Sequence, residues 1–83
     1  MKNDMTNRDK LKSLLTDILL LGDGEFRFDL KRTEVDTWDS LAVVSIAVGV
    51  EETFHYHMPP EEAVAVQGVA DLMTILQKQG VKF

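Results

Sequence analysis

Apolar residues recur at steps of three and four near the start of the chain, which is the spacing of one face of an α-helix. Thr6 or Asn7 can cap the start of this helix, and Gly22 is a natural stop after it. We therefore predict a first helix over about residues 7–21. Its apolar face comprises Leu11, Leu14, Leu15, Ile18 and Leu19.

A second apolar stripe follows Asp39, whose carboxylate can accept hydrogen bonds from the free N–H groups of a first helical turn. We predict a second helix over about residues 40–54. One face comprises Val43, Ile46, Ala47, Val50 and Phe54, and the other is predicted to hold Ala42, Ser45, Val48 and Glu52.

Two further helices are predicted in the last third of the chain. Proline suits a first helical turn, and acidic residues there complement the helix dipole. The run Pro59-Pro60-Glu61-Glu62 thus predicts a short third helix over about residues 61–65. A three-four apolar pattern predicts a fourth helix over about residues 69–79, which Gly80 ends.

Residues 22–39 show no helical period. The alternation of Phe26, Phe28 and Leu30 is compatible with a short strand. No partner strand is evident, so we predict an ordered loop held down by its apolar side chains. Trp38 is expected to pack this loop onto the helices.

These elements predict an all-α fold, a four-helix bundle with three long helices, a short third helix and a long loop between the first two. The length of 83 residues suits a single domain over 1–83. The predicted core comprises Leu11, Leu15, Ile18, Val43, Ile46, Val50, Phe54, Val69, Leu72 and Leu76.

Composition narrows the functional classes. The net charge of −5 disfavours nucleic-acid binding and suits either a basic protein partner or simple solubility. No apolar run is long enough to insert into a membrane, and no signal-peptide core follows Met1, so we expect a cytoplasmic monomer. The chain has no cysteine, so any thiol it handles must come from a cofactor.

Ser40 is the candidate for chemistry, because it lies where an acidic loop meets the start of an apolar helix. A helix N-terminus favours anions such as phosphate groups. The surrounding residues resemble the acyl carrier protein family over roughly residues 7–80. The resemblance rests on Thr37-Trp38-Asp39-Ser40-Leu41, Val43, Ile46, Glu51-Glu52-Thr53-Phe54, Met58-Pro59, Glu61-Glu62-Ala63, Val66-Gln67 and the helix from Val69 to Leu76.

The resemblance implies a carrier protein and not an enzyme. Ser40 would receive a 4'-phosphopantetheine arm from coenzyme A, through a magnesium-dependent phosphopantetheinyl transferase whose metal would lie near Asp39. The arm would hold acyl groups as thioesters and present them to acyl-loading and acyl-accepting enzymes. We expect any bound acyl chain to enter between the second and third helices, near Val43, Ala47 and Met58.

The candidate partner-binding residues are Leu41, Val44, Val48, Glu51 and Glu52. Val44 and Val48 could instead line the edge of the core, and this interpretation is favoured for Val44. Many fatty-acid carriers have acidic residues along the exposed side of the second helix, where this chain has Ala42 and Ser45. A tryptophan before Asp-Ser-Leu, here Trp38, resembles the pattern of stand-alone carriers. Together with this tryptophan, the difference favours a specialised biosynthetic pathway.

Other functional classes have weaker support. The main alternative is an unmodified helical interaction domain that uses the exposed face of the second helix. His55 and His57 lie near two glutamates but lack a third strong metal ligand, so we predict no metal site. A serine–histidine–aspartate triad with Ser40 would need an oxyanion hole, and no motif for one is present, so we predict no catalytic residues.

Overall fold

The computed structural model describes residues 6–22 and 24–83. This part of the chain forms four α-helices and no strands, which confirms the all-α fold class. The helices are α1 (Asn7–Leu19), α2 (Ser40–Phe54), α3 (Pro60–Ala65) and α4 (Val69–Lys78), with a short 3-10 helix (Arg32–Glu34) between α1 and α2. Helix α2 packs against both α1 and α3.

Helix α1 begins at a capping box and ends earlier than predicted. Thr6 accepts a hydrogen bond from the backbone N–H of Asp9, whose carboxylate accepts from the Thr6 N–H. The helix stops at Leu19 because Leu20 turns into the left-handed region at φ 57°. The Thr37 hydroxyl donates to the Leu19 carbonyl at 2.6 Å. The prediction that Gly22 ends this helix is therefore wrong.

The connection between α1 and α2 is an ordered loop fixed at several points. Leu30, Val35 and Trp38 are buried in the core, and Phe26 and Phe28 pack edge to face at 4.9 Å. A single antiparallel bridge joins Lys31 to Gly68 just before α4. Within its described residues, the loop thus makes one β-bridge, formed by a single residue on each side, and no strand.

The core includes eight of the ten predicted residues. Ile18 and Phe54 were wrongly placed there, because both are half-buried at its edge. Leu19 takes the buried position next to Ile18, and Phe54 lies at the end of α2 beside Phe83. The buried residues that the predicted core did not include are Leu19, Leu30, Val35, Trp38, Ala42, Met58, Ala63 and Val66.

A glycine permits the close approach of α1 and α2. A Cβ atom added to Gly49 would lie 2.3 Å from Leu14 Cδ1, well inside van der Waals contact. The residue that weakens α2 therefore lies at a close contact between the two helices. None of the helices in the described ranges has the length and apolar character that crossing a membrane requires.

Candidate functional site

Ser40 is the first residue of α2 and is exposed to solvent. The residue before it, Asp39, is the N-cap, and its carboxylate accepts a hydrogen bond from the Ala42 N–H at 3.0 Å. The Asp39 carbonyl accepts from the Val43 N–H at 3.0 Å. The cap fixes the start of α2 so that the serine hydroxyl lies at the positive end of a 15-residue helix.

A cleft of about 410 Å³ opens beside Ser40. Its walls come from α2 and α3, with Met58 from the connection between them. The three residues expected to guide an acyl chain, Val43, Ala47 and Met58, all line it. Its complete lining is Arg32, Ser40, Val43, Val44, Ala47, Val48, Glu51, His57, Met58, Pro60, Ala63 and Val64.

Arg32 lines the same cleft as Ser40 and was not singled out from the sequence. Its Nε donates to the carbonyl of Trp38 at 3.1 Å, and its backbone N–H donates to the Gln67 carbonyl at 2.8 Å. Every ion pair within residues 6–22 and 24–83 involves Arg27 or His57, so Arg32 has no carboxylate partner there. No sequence period links a loop arginine to a serine eight positions later, so only the folded loop brings them together.

Four large apolar side chains are exposed at or next to the cleft: three of them line it, and Leu41 follows Ser40 in α2. Leu41 is 79% exposed, Val44 62%, Val48 51% and Val64 60%. Val44 therefore does not belong to the core, contrary to the interpretation that the sequence favoured. Val64 was not predicted, because α3 is too short for a clear period. We call these four residues the apolar rim.

The exposed side of α2 differs from the prediction at one position, Ala42. Ala42 is only 6% exposed, so it was wrongly assigned to that side. It faces the core because α2 buries a broad stripe between α1 and α3. Ser45, Glu51 and Glu52 are exposed as expected. The carboxylate of Glu51 pairs with Nδ1 of His57 at 3.0 Å.

The histidines do not form a metal cluster with these carboxylates. His55 ends α2 in the left-handed region and is exposed. Across residues 6–22 and 24–83, no group of three or more histidine, aspartate or glutamate side chains could hold a metal ion. Within the same ranges, neither histidine hydrogen-bonds to Ser40. Nearby, a hydrogen bond to the Glu62 carboxylate raises the pKa of the Tyr56 hydroxyl.

A separate charged network lies in the long loop, outside the cleft. Arg27 bonds to Asp29 at 3.0 Å and to both carboxylate oxygens of Glu34 at 3.0 and 3.1 Å. The hydrogen bond from Arg27 lowers the pKa of Asp29. The pKa of Glu34 is lowered mainly by a hydrogen bond from the Lys31 backbone N–H and, to a smaller extent, by Arg27. The carboxylates of Asp29 and Glu34 in turn raise the pKa of Arg27.

Comparison with known proteins identifies the family. No family model matches the chain, and no solved structure matches it. A protein named acyl carrier protein, from Akkermansia muciniphila, is 32% identical over 76 residues, which span 92% of this chain and 95% of the relative. That name denotes a carrier and not an enzyme. Given this identity over nearly the full length of both proteins and the all-helical fold, the chain belongs to the acyl carrier protein family.

Proposed function

We propose that the chain carries acyl or related groups as thioesters on a 4'-phosphopantetheine arm attached to Ser40. The observation that supports this most directly is the position of Ser40, exposed in the first turn of α2 and beside an apolar cleft. An attached arm can leave toward solvent or turn into the cleft. Family membership supports the same cofactor.

The residues around Ser40 suit attachment of this group. A phosphopantetheinyl transferase would join the Ser40 oxygen to the phosphorus of coenzyme A that bears the pantetheine, and 3',5'-ADP would leave while the hydroxyl proton passes to a base. The positive end of α2 favours the resulting anionic phosphodiester. Asp39 has one oxygen engaged by the Ala42 N–H and is exposed, so it can also approach the metal of the transferase.

When bound, the arm supplies a thiol that the chain itself lacks, since it has no cysteine. The chain contributes a tether, which raises the effective concentration of the cargo at each partner. We propose that transferase, acyl-loading and acyl-accepting enzymes dock on Leu41, Val44 and Val48, with Glu51 and Glu52 facing basic groups. Exposed apolar side chains of this kind are typical of interaction surfaces.

The cleft is the proposed site for the acyl chain. Val43, Ala47 and Met58 offer apolar surface between α2 and α3, and a volume of about 410 Å³ suits a small ligand. An apolar cleft is thus present at the place where the sequence analysis expects the acyl chain to enter. Entry of the chain there stays a prediction.

We further propose a cytoplasmic carrier of a specialised pathway, acting as a monomer. With Ala42 buried, the argument for the pathway rests on Ser45, where many fatty-acid carriers have an acidic residue, and on Trp38. A partner that fits α2 would present apolar groups to the apolar rim and basic groups to Glu51 and Glu52.

Intact-mass spectrometry tests the attachment. The protein is incubated with coenzyme A, magnesium and a broad-specificity phosphopantetheinyl transferase, and we expect its mass to rise by one arm. Ser40→Ala should gain nothing. Ser45→Ala is the matched control, because it removes another exposed serine hydroxyl from the same helix, and it should be modified like the wild type.

An unmodified wild type would contradict the proposal. So would a mass gain that persists in Ser40→Ala, since the arm would then be attached elsewhere.

The apolar rim favours one alternative, an unmodified interaction domain. In that case Ser40→Ala would leave the biological activity intact, and Val48→Asp would abolish it. A carrier would instead lose activity with Ser40→Ala.

A further inference from the structure

Arg32 is placed to interact with an anionic group at Ser40. We propose that its guanidinium binds the phosphodiester of the arm and so fixes the root of the arm against the cleft. This inference rests on the proposed attachment to Ser40 and adds a binding residue to it.

The position of Arg32 is fixed at two points. Its backbone N–H is bonded to Gln67 at 2.8 Å, where the loop meets the segment before α4. Its Nε is bonded at 3.1 Å to the carbonyl of Trp38, only two residues before Ser40. Trp38 is itself 3% exposed, so the anchoring carbonyl belongs to a buried residue. The guanidinium is therefore held beside the start of α2.

The same bond leaves most of the guanidinium donors available. Arginine has five N–H donors, and the bond to Trp38 uses the one on Nε. The remaining four lie on the two terminal nitrogens, and the end of the planar guanidinium can match phosphate oxygens in pairs. Within residues 6–22 and 24–83, no carboxylate competes for them as an ion pair.

The other charged groups of the cleft do not neutralise Arg32. Glu51 is the one carboxylate among the described residues that line the cleft, and it contacts His57 at 3.0 Å and makes no ion pair with Arg32. By contrast, Arg27 in the same loop is bonded to two carboxylates. In a chain with 14 acidic and 9 basic residues, an arginine without such a partner at the cleft is a site for an external anion.

The phosphodiester is the anion that fits best. It would be bonded directly to the Ser40 oxygen, so its distance from the start of α2 is limited to about one bond length beyond that oxygen. A carboxylate on the cargo would sit at the far end of a flexible arm. The phosphate thus has the higher effective concentration at Arg32, and Arg32 would act on every cargo alike.

Phosphorus-31 NMR of the arm-bearing protein tests this interaction. The resonance of the wild-type phosphodiester is compared with that of the same protein unfolded in urea. We expect the folded resonance to be displaced and broadened, and Arg32→Gln to move it most of the way toward the unfolded position. Arg32→Lys should lie between them, because lysine keeps the charge without the fork.

Lys31→Gln is the matched control. It makes the same change of charge one residue away, and Lys31 does not line the cleft. Its resonance should stay at the wild-type position. Circular dichroism of each variant before attachment checks that it is folded, and a salt titration of the unmutated protein gives a second measurement that needs no substitution. High salt should shift its resonance toward the unfolded position.

Mass spectrometry separates the two ways of failing. If all variants carry the arm but the resonance is the same in wild type and Arg32→Gln, or is unmoved by salt, the proposed role of Arg32 is wrong and the attachment to Ser40 stands. If the wild type never gains the arm, both proposals are wrong. An equal displacement in Lys31→Gln and Arg32→Gln would also contradict a specific contact, because it would show a general effect of charge.

Discussion

The two faces of α2 are both apolar but have different surroundings. One face, with Ala42, Val43, Ile46 and Val50, is buried against the other helices and the loop. The opposite face presents Leu41, Val44 and Val48 to solvent. Hydrophobicity alone therefore does not decide which face of this helix is buried. The difference indicates that one face stabilises the fold and that the other is available for binding.

The largest expected effect comes from truncating the buried face. Ile46→Ala should lower the free energy of unfolding by about 2–5 kcal/mol, because Ile46 is only 3% exposed and its truncation leaves a cavity in the core. Leu41→Ala, on the exposed face of the same helix, should change it by less than about 0.5 kcal/mol. Urea denaturation of both variants measures the difference. Equal losses would contradict the assignment of the two faces.

A smaller loss of stability is expected from a change where the loop meets the segment before α4, because this contact holds the loop against the helices. A Cβ atom on Gly68 would lie 2.7 Å from the backbone oxygen of Leu30, which cannot move independently of the loop. Gly68→Ala should therefore cost about 1–3 kcal/mol of unfolding free energy. Thermal and urea unfolding measure it. Gly24→Ala, with no atom within 4 Å but with a positive φ, separates crowding from backbone strain.

The N-cap Asp39 stabilises the start of α2 and therefore the helix that carries both faces. Asp39→Ala should lower the unfolding free energy by about 0.5–2 kcal/mol, because it removes the bond to the Ala42 N–H. Asp39→Asn keeps an acceptor there and should retain most of the stability. If Asp39→Asn is as destabilised as Asp39→Ala, the charge of the carboxylate and not its hydrogen bond supports the helix.

The smallest effect concerns the charged loop network, whose hydrogen bonds join residues of the loop to one another. The folded state lowers the pKa of Glu34 from its usual 4.5, so the stabilisation is present above that pH and is lost as the pH falls through the folded-state value. Glu34→Gln should be slightly less stable than wild type at neutral pH, and the two should converge in acid. Urea denaturation across this pH range measures the gap, which must not widen in acid.

Local sequence signals were sufficient for the helices and for the candidate site. The three-four spacing of apolar residues, Asp39 as a cap and the prolines before Glu61 led to four helices and the all-α fold. Ser40 could be singled out because a serine at a helix start, within a family-like run, lies in one continuous stretch of sequence. Caps and helical periods depend on neighbours within a few residues, so they can be read along the chain.

The burial of individual side chains was decided only by the tertiary structure. Ala42 and Val44 are two positions apart on the same helix, yet the first is buried and the second is exposed, because α1 and α3 pack against α2 and leave the side of Val44 open. Arg32 reaches the cleft through bonds to Trp38 and to Gln67, which is 35 positions further along the chain. The sequence by itself thus determined the helices and pointed to Ser40 as the candidate serine. The cleft, the apolar rim and the arginine beside Ser40 depend on contacts between distant segments, which no local pattern encodes.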